Sequence, residues 1–327
     1  MKVFFQLYRR YADIAAAEAF VVTNGKRIAL ISDEILIADI SHAAFSRLGL
    51  VHAAYEFLFV CNARQLERAI ARTNFQKHYR TSFKVTTHHT TPAAGQRTAQ
   101  LVAARLRNGK ADMRNPRSWF HFFFLKSKVV AGKMLWANTE DFESRKVHRW
   151  PAPHPTGTHP QLARAMVNLT GIERGELVDP FCGAGGTLIE AGLMGLKPVG
   201  SDIEPTVLAK AVKNLEGYGI KNYKLMRKDA RTLSEPVNHL VADLPYGRNT
   251  PKIGLEELYL EFLQRLKKIL KGRAVLGFPN TIPHKPLLKK AKLKLLDEFD
   301  WYINRKLSKK IVVVENPLKR WYENSLR

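Results

Sequence analysis

The sequence predicts an α/β protein: a doubly wound, mostly parallel sheet in the carboxyl-terminal half, preceded by a separate α+β region. Three observations carry this expectation. Strand-like and helix-like patterns alternate from residue 177 to residue 278, the rhythm of parallel strands joined by crossover helices. A glycine-rich turn, Gly183-Ala184-Gly185-Gly186, joins the first strand of the series to its first helix. The series ends in two consecutive strand patterns, 294–303 and 310–315, with no helix between them, which implies an antiparallel closing hairpin.

In the first part, residues 3–7 read as a strand and 11–21 as an Ala-rich helix. Asn24-Gly25 marks a turn into strand character over 27–40. A second unit spans 65–136, with a strand at 81–87, a helix at 98–106 and an aromatic strand at 118–125. Pro151, Pro153 and Pro155 then stand close together beside Gly157, a density that opposes both helix and central strand, so an extended linker is expected. Its Arg145, Lys146 and Trp150 would suit a segment lying along a nucleic-acid backbone. The second part opens with Leu162, Met166 and Leu169 on one helical face, Pro160 at the first helical position and Gly171 as the stop. Strands follow at 177–181, 198–202, 223–226, 239–243 and 274–278, and helices at 187–194, 206–215 and 255–270. The expected division is 1–60, 61–137, a linker at 138–159, and 160–327.

Charge narrows the partners. The 327 residues carry 53 Lys+Arg against 29 Asp+Glu, a formal net charge of +24. Up to Trp150 the count is 24 against 11, and beyond it 29 against 18, so no single tail holds the excess. A basic face spread over two domains points to a polyanion, of which nucleic acid is the usual one. Only two cysteines are present, Cys61 and Cys182, which excludes a disulfide framework and a cysteine-rich zinc site. No metal is expected, and a reducing, cytoplasmic setting fits. The apolar runs are strand-sized, far short of the roughly 20 residues of a membrane span. Met1–Leu7 meets Arg9 and Arg10 before any cleavage-like site, so it reads as a strand rather than a signal peptide.

The glycine turn follows Asp179-Pro180-Phe181-Cys182 and precedes Thr187. In an open α/β sheet, ligands bind at the carboxyl ends of the strands beside such a turn. Glycines let backbone approach a ligand, and the helix amino terminus offers N–H groups to an anion. A dinucleotide site wants G-x-G-x-x-G, but from Gly183 the sixth place is Leu188; a P-loop is excluded because no Gly-Lys-Ser/Thr follows. Two more acids follow successive strands: Asp202, before Ile203, where a carboxylate can bind both ribose hydroxyls, and Asp229, before Ala230.

The fourth strand leads into Asp243-Leu244-Pro245-Tyr246-Gly247. This box resembles the Asp/Asn-Pro-Pro-Tyr/Phe signature of amino-methyltransferases. An exocyclic base amine is a poor nucleophile because its lone pair is delocalised into the ring. Asp243 can accept one N–H hydrogen bond and the Leu244 carbonyl the other, which orients the amine as the carbon–nitrogen bond forms. Tyr246 offers a ring on which the base stacks. Leu244 replaces the usual proline, which keeps the carbonyl and loses some rigidity. The resemblance implies S-adenosylmethionine as cofactor. Asp179 would hold its amino-acid portion, Cys182, Gly183, Gly185 and Gly186 its cradle, Asp202 and Ile203 its ribose side, and Asp229 and Ala230 its adenine.

As a whole the chain resembles the archaeal tRNA guanine N2-methyltransferases of the THUMP-domain family, in particular the subgroup acting on guanine 10. The stretch from Asp179 to Asp202, the DLPYG box and THPQLARAMVNLTG before them carry the likeness. It implies a Rossmann-like methyltransferase domain over 160–327, preceded by a ferredoxin-like domain over 1–60 and a THUMP domain over 61–137. It also places Thr158 and His159 over the cofactor. Ser82-Phe83-Lys84-Val85 and Asn115-Pro116-Arg117 suit the THUMP part. Expected tRNA contacts are Lys84, Arg114, Arg117, Arg145 and Lys146. Some relatives work with a small zinc-ribbon activator protein. N2-methylation at another tRNA or rRNA position, adenine-N6 methylation and a non-catalytic tRNA-binding role stay open at this point.

Overall fold

A computed structural model describes residues 1–155, 157–246, 254–304 and 307–317. They form two compact units. One comprises Met1–Ala12, Thr23–Ser46 and Val51–Thr139; the other comprises Asp13–Val22, Arg47–Leu50 and the chain from Glu140 onward. No helix among the described residues is long and apolar enough to cross a membrane.

The chain begins with β1 (Lys2–Leu7), α1 (Ala12–Thr23), β2 (Lys26–Ser32), β3 (Ile35–Asp39) and β4 (Val51–Asn62). It continues with α2 (Leu66–Arg72), α3 (Phe75–His78), β5 (Phe83–His88), α4 (Pro92–Ala103), β6 (Ser118–Leu125) and β7 (Lys128–Ala137). The seven strands make one sheet in the order β2-β3-β1-β4-β7-β6-β5, antiparallel except for the parallel pair β5 and β6. The aromatic run of β6 has a plain cause. Phe120 and Phe122 pack with Phe75, Val102 and Leu106 on one face, and Phe123 packs with Phe4 and Tyr55 on the other. A strand covered on both faces does not alternate. Gly132 on β7 admits this packing, since a Cβ there would lie 2.4 Å from the Phe4 ring.

Several expectations change here. The strand character over 27–40 is two strands, β2 and β3, paired as a hairpin. The expected boundary at 60/61 falls inside β4, a strand of 12 residues that pairs with both β1 and β7. The helix expected at 98–106 starts earlier, at Pro92, where the Thr91 hydroxyl accepts the Ala94 N–H at 3.3 Å.

The second unit contains α5 (Pro160–Leu169), β8 (Glu176–Asp179), α6 (Gly186–Leu193), β9 (Lys197–Asp202), α7 (Pro205–Gly217) and β10 (Lys224–Arg227). After them come β11 (Val237–Asp243), α8 (Leu255–Ile269), β12 (Leu270–Pro279), α9 (His284–Lys290), β13 (Lys294–Asn304) and β14 (Leu307–Glu315). Strand order is β10-β9-β8-β11-β12-β14-β13, with β14 antiparallel to both its neighbours. The order reverses direction at β8, so the crevice for a ligand opens beside its carboxyl end. On the strand side of α8, Tyr259, Phe262, Leu263 and Leu266 are buried against Leu240, Leu276 and Val312, an amphipathic stripe on the core.

The expected linker at 138–159 is only partly extended. Short 3-10 turns form at Glu143–Arg145 and Val147–Arg149, and Trp150 is buried, its indole N–H donating to the Arg145 carbonyl at 2.7 Å. Arg145 is drawn inward by charge: its guanidinium donates to Glu190 of α6 at 2.7 Å and to Glu140 at 2.9 Å. Arg164 of α5 shares the same Glu190 carboxylate at 2.9 Å.

Candidate active site

The second unit holds a cavity of about 570 Å³ at the carboxyl ends of its parallel strands. Asp179, Asp202 and Asp243 are the last residues of β8, β9 and β11, and all three line it. The glycine turn closes one side. Gly183 (φ +51°) and Gly185 (φ +95°) take left-handed conformations that favour glycine, and Gly186 starts α6 where a Cβ would lie 3.1 Å from the Trp150 ring. Asn214 of α7, fully buried, pins this turn by donating to the Ala184 carbonyl at 2.9 Å and exchanging hydrogen bonds with Ala152.

Asp179 accepts the Phe181 N–H at 3.0 Å and the Thr187 hydroxyl. Burial pushes its carboxyl up to about 7, and the nearby Asp243 and Asp202 charges add to the rise. A buried acid of this kind is poised to pair with a cation. Asp202 accepts the Gly183 N–H and the Glu204 N–H, each at 3.0 Å, one on each oxygen, which leaves acceptor capacity on both for a vicinal diol. Ile203 is 64% exposed at the cavity, an apolar surface for a flat ring. These groups fit the amino-acid, ribose and adenine parts of S-adenosylmethionine. Burial pushes the Cys182 thiol up, which argues against thiolate chemistry.

Asp243 takes hydrogen bonds from three different side chains. Its Oδ2 accepts the Thr158 hydroxyl at 2.7 Å and the Lys309 ammonium of β14, and its Oδ1 accepts the Tyr246 hydroxyl. Burial, then the Asp243 charge, pushes the Tyr246 phenol up, so it stays a donor. The Lys309 ammonium also lies over the Tyr246 ring, 4.9 Å from its centroid. The Leu244 side chain is buried in the core, and its N–H donates to the Gly277 carbonyl at 3.0 Å, fixing the chain as it leaves β11. Pro245 is held through its carbonyl by the Tyr259 hydroxyl of α8. Gly247 lies outside the described residues.

The structure gathers most of the sequence-derived site. Asp243, Leu244, Pro245, Tyr246, Thr158, Asp179, Cys182, Gly183, Gly186, Asp202, Ile203, Asp229 and Ala230 all line the one cavity. Gly185 and His159 are not among its lining residues. Gly185 packs on Ala211, and the His159 ring lies 6.2 Å from Trp301. Asp229 does reach the cavity, but both its oxygens are clamped by the Arg231 guanidinium at 2.7 and 3.1 Å. Lys309, Thr187, Asn214 and Arg231 were not singled out from the sequence. Thr187 and Arg231 sit within a few residues of motifs already noticed, whereas nothing local marks Lys309.

Of the expected RNA contacts, Arg114 and Arg117 are exposed, Lys84 is half-buried with its ammonium 4.5 Å from the Trp119 ring centre, and Lys146 pairs with Glu143 at 2.6 Å. Arg145 is corrected. Its side chain is buried and spent on Glu190 and Glu140, which leaves no fork for a phosphate.

Residues 148–309 match the RMKL-like methyltransferase-domain family. The crystal structure of TrmN from Thermus thermophilus has a similar fold, with a TM-score of 0.53 at 19% identity over 96% of this chain and 99% of that one. The tRNA (guanine(10)-N2)-dimethyltransferase of Pyrococcus abyssi is 35% identical over 201 residues, 58% of this chain and 61% of that protein. The protein of the same name from Methanothermobacter thermautotrophicus is 31% identical over 281 residues, 82% of this chain and 83% of its own length. Identity of that order over more than four fifths of both chains makes this chain a member of the tRNA (guanine(10)-N2)-dimethyltransferase family.

Proposed function

We propose that the protein methylates the exocyclic N2 of guanosine 10 in tRNA, once or twice, with S-adenosylmethionine as donor. One observation carries the reading: the Asp243 carboxylate stands in the same cavity as the glycine turn, Asp179 and Asp202. When bound, S-adenosylmethionine supplies an electrophilic methyl carbon. Asp243 keeps one acceptor position, on Oδ1, for the amine N–H, since three of a carboxylate's roughly four lone-pair sites are already taken. That hydrogen bond would orient the nitrogen lone pair for attack, and the Asp243 carboxylate would receive the proton that nitrogen gives up. The Leu244 carbonyl supports the second N–H, and Tyr246 stacks on the base. The first unit is the tRNA-holding part, with a THUMP-like region in the part of its sheet that follows β4, and Lys84, Arg114 and Arg117 toward the RNA. This part of the reading rests on the family resemblance and on those exposed or half-exposed basic side chains.

The test is direct. Pure protein, tRNA transcript and S-adenosylmethionine are combined, and nucleosides are identified by mass spectrometry. N2-methyl- and N2,N2-dimethylguanosine should appear, and a transcript with adenosine at position 10 should stay unmethylated. Methyladenosine, or methylguanosine elsewhere, would replace this assignment. Activity that appears only after adding a zinc-ribbon partner would establish the activator.

A further inference from the structure

We propose that Lys309 is a positioning residue for the acceptor site: its ammonium holds the Asp243 carboxylate in the orientation that leaves one oxygen open to the base amine. The inference rests on the proposed amine-orienting role of Asp243 and goes beyond it by assigning a residue outside the motif. Lys309 sits mid-sheet on β14, paired with Pro279 of β12 and Trp301 of β13, and is 5% exposed. An ammonium at such a place is costly to desolvate. Stability gives little reason for it, because a buried ion pair replaced by apolar residues is often neutral or stabilising. The geometry supplies another reason. Lys309 donates to Asp243 Oδ2, the oxygen that also takes Thr158, so Oδ2 is filled and Oδ1 faces only the Tyr246 hydroxyl. The same ammonium lies over the Tyr246 ring. One cation thus fixes both the carboxylate and the aromatic ring of the box.

The surroundings make the cation necessary. Asp179 on β8 brings a further acid to bear on Asp243, and Tyr246 and Tyr259 face the same carboxylate with phenols that burial keeps protonated. Lys309 of β14 is the cation paired with Asp243 among the described residues. Without it, Asp243 would lie near a second carboxyl with only hydroxyl donors and would be free to rotate, losing the orientation that leaves Oδ1 to the amine.

Two measurements test the proposal. In the full-length apo protein, Lys309 should acetylate with acetic anhydride far more slowly than surface lysines, read by peptide mass spectrometry. In Asp243→Asn, which leaves the amine without its charge partner, the rate should rise at least tenfold. This readout needs no methyl transfer, so a failure of the guanosine assignment leaves it intact. In single-turnover methylation, Lys309→Met should lose about 10²-fold with S-adenosylhomocysteine affinity unchanged, the scale of losing one preorganised polar contact. Lys309→Arg should recover to within about tenfold of the parent. In the Asp243→Asn background, adding Lys309→Met should cost less than about threefold, because an amide has no charge to hold. Lys309 acetylating like a surface lysine, or Lys309→Met at full rate, overturns the proposal. So does a loss that Arg does not rescue and that is as large in the Asp243→Asn background.

Discussion

Asp243 and Tyr246 act as one hydrogen-bonded pair, and single substitutions should separate their parts. Asp243→Ala should lower the single-turnover rate by about 10²-fold or more, while S-adenosylhomocysteine affinity by calorimetry changes little. Asp243→Asn should be milder, since an amide oxygen still accepts a hydrogen bond. Stacking alone would make Tyr246→Phe silent, but the hydroxyl is one of three donors to Asp243, so Phe should fall between Tyr and Ala. A Phe variant as slow as Ala would assign the effect to the hydroxyl and remove stacking from the account. Asp179 gives a pH prediction. Its carboxyl is raised to about 7 in the folded apo protein, against about 4 unfolded. Its contribution to stability is therefore complete below pH 4 and is lost as pH rises to 7. A ligand ammonium needs the ionised form, so affinity for S-adenosylhomocysteine should climb between pH 5 and 7, by up to about tenfold per unit. In Asp179→Asn that climb should vanish; an unchanged climb would move the ammonium elsewhere.

At the level of the element, α6 is held from below by Glu190, which accepts Arg145 at 2.7 Å and Arg164 at 2.9 Å. The helix starts at the glycine turn, so this ionic clamp fixes the floor of the cofactor cradle. Glu190→Ala leaves two buried guanidiniums without that carboxylate and should cost about 3–5 kcal/mol, read as a lowered denaturant midpoint. Arg145→Ala should likewise lower stability, with tRNA affinity of the folded fraction unchanged. An Arg145→Ala protein of parental stability that binds tRNA poorly would restore the segment as an RNA contact. The neighbouring strand matters to the same site. A Cβ at Gly277 of β12 would lie 2.9 Å from Asp243 Oδ1, the oxygen left for the amine.

For the whole molecule, the charge of +24 sets how tRNA binds. Affinity should fall steeply with salt, with a log–log slope of about −0.7 to −0.9 per phosphate neutralised. A flat salt response would contradict binding through the phosphate backbone. The division into units makes a second prediction. Glu18 of α1 accepts the Gly49 N–H at 2.8 Å, the Leu50 N–H at 2.9 Å and the Asn168 amide at 2.7 Å, all within the second unit. A fragment starting at residue 140 lacks Glu18 and leaves Asn168 without that partner. It should melt well below the full chain and bind S-adenosylhomocysteine more weakly. A fragment as stable as the parent would show that α1 is dispensable to this unit.

The sequence by itself determined the alternating α/β order of the second unit, the glycine turn and the aspartates at the ends of β8, β9 and β11. Each rests on a local signal: a period of 2 or 3.6, a positive φ that favours glycine, or a motif a few residues long. It did not yield β4, half-buried along much of its length and so without clean alternation, or the merging of 1–60 and 61–137 into one sheet. Nor did it distinguish Arg145 from a solvated charge, because its partner Glu190 is 45 residues away. Only tertiary structure decided what surrounds Asp243. Thr158 lies 85 residues before it and Lys309 66 residues after it, and Lys309 arrives because the sheet order sets β14 beside β12 and β12 beside β11. A buried charge finds its partner in space, and no spacing along the chain records that choice.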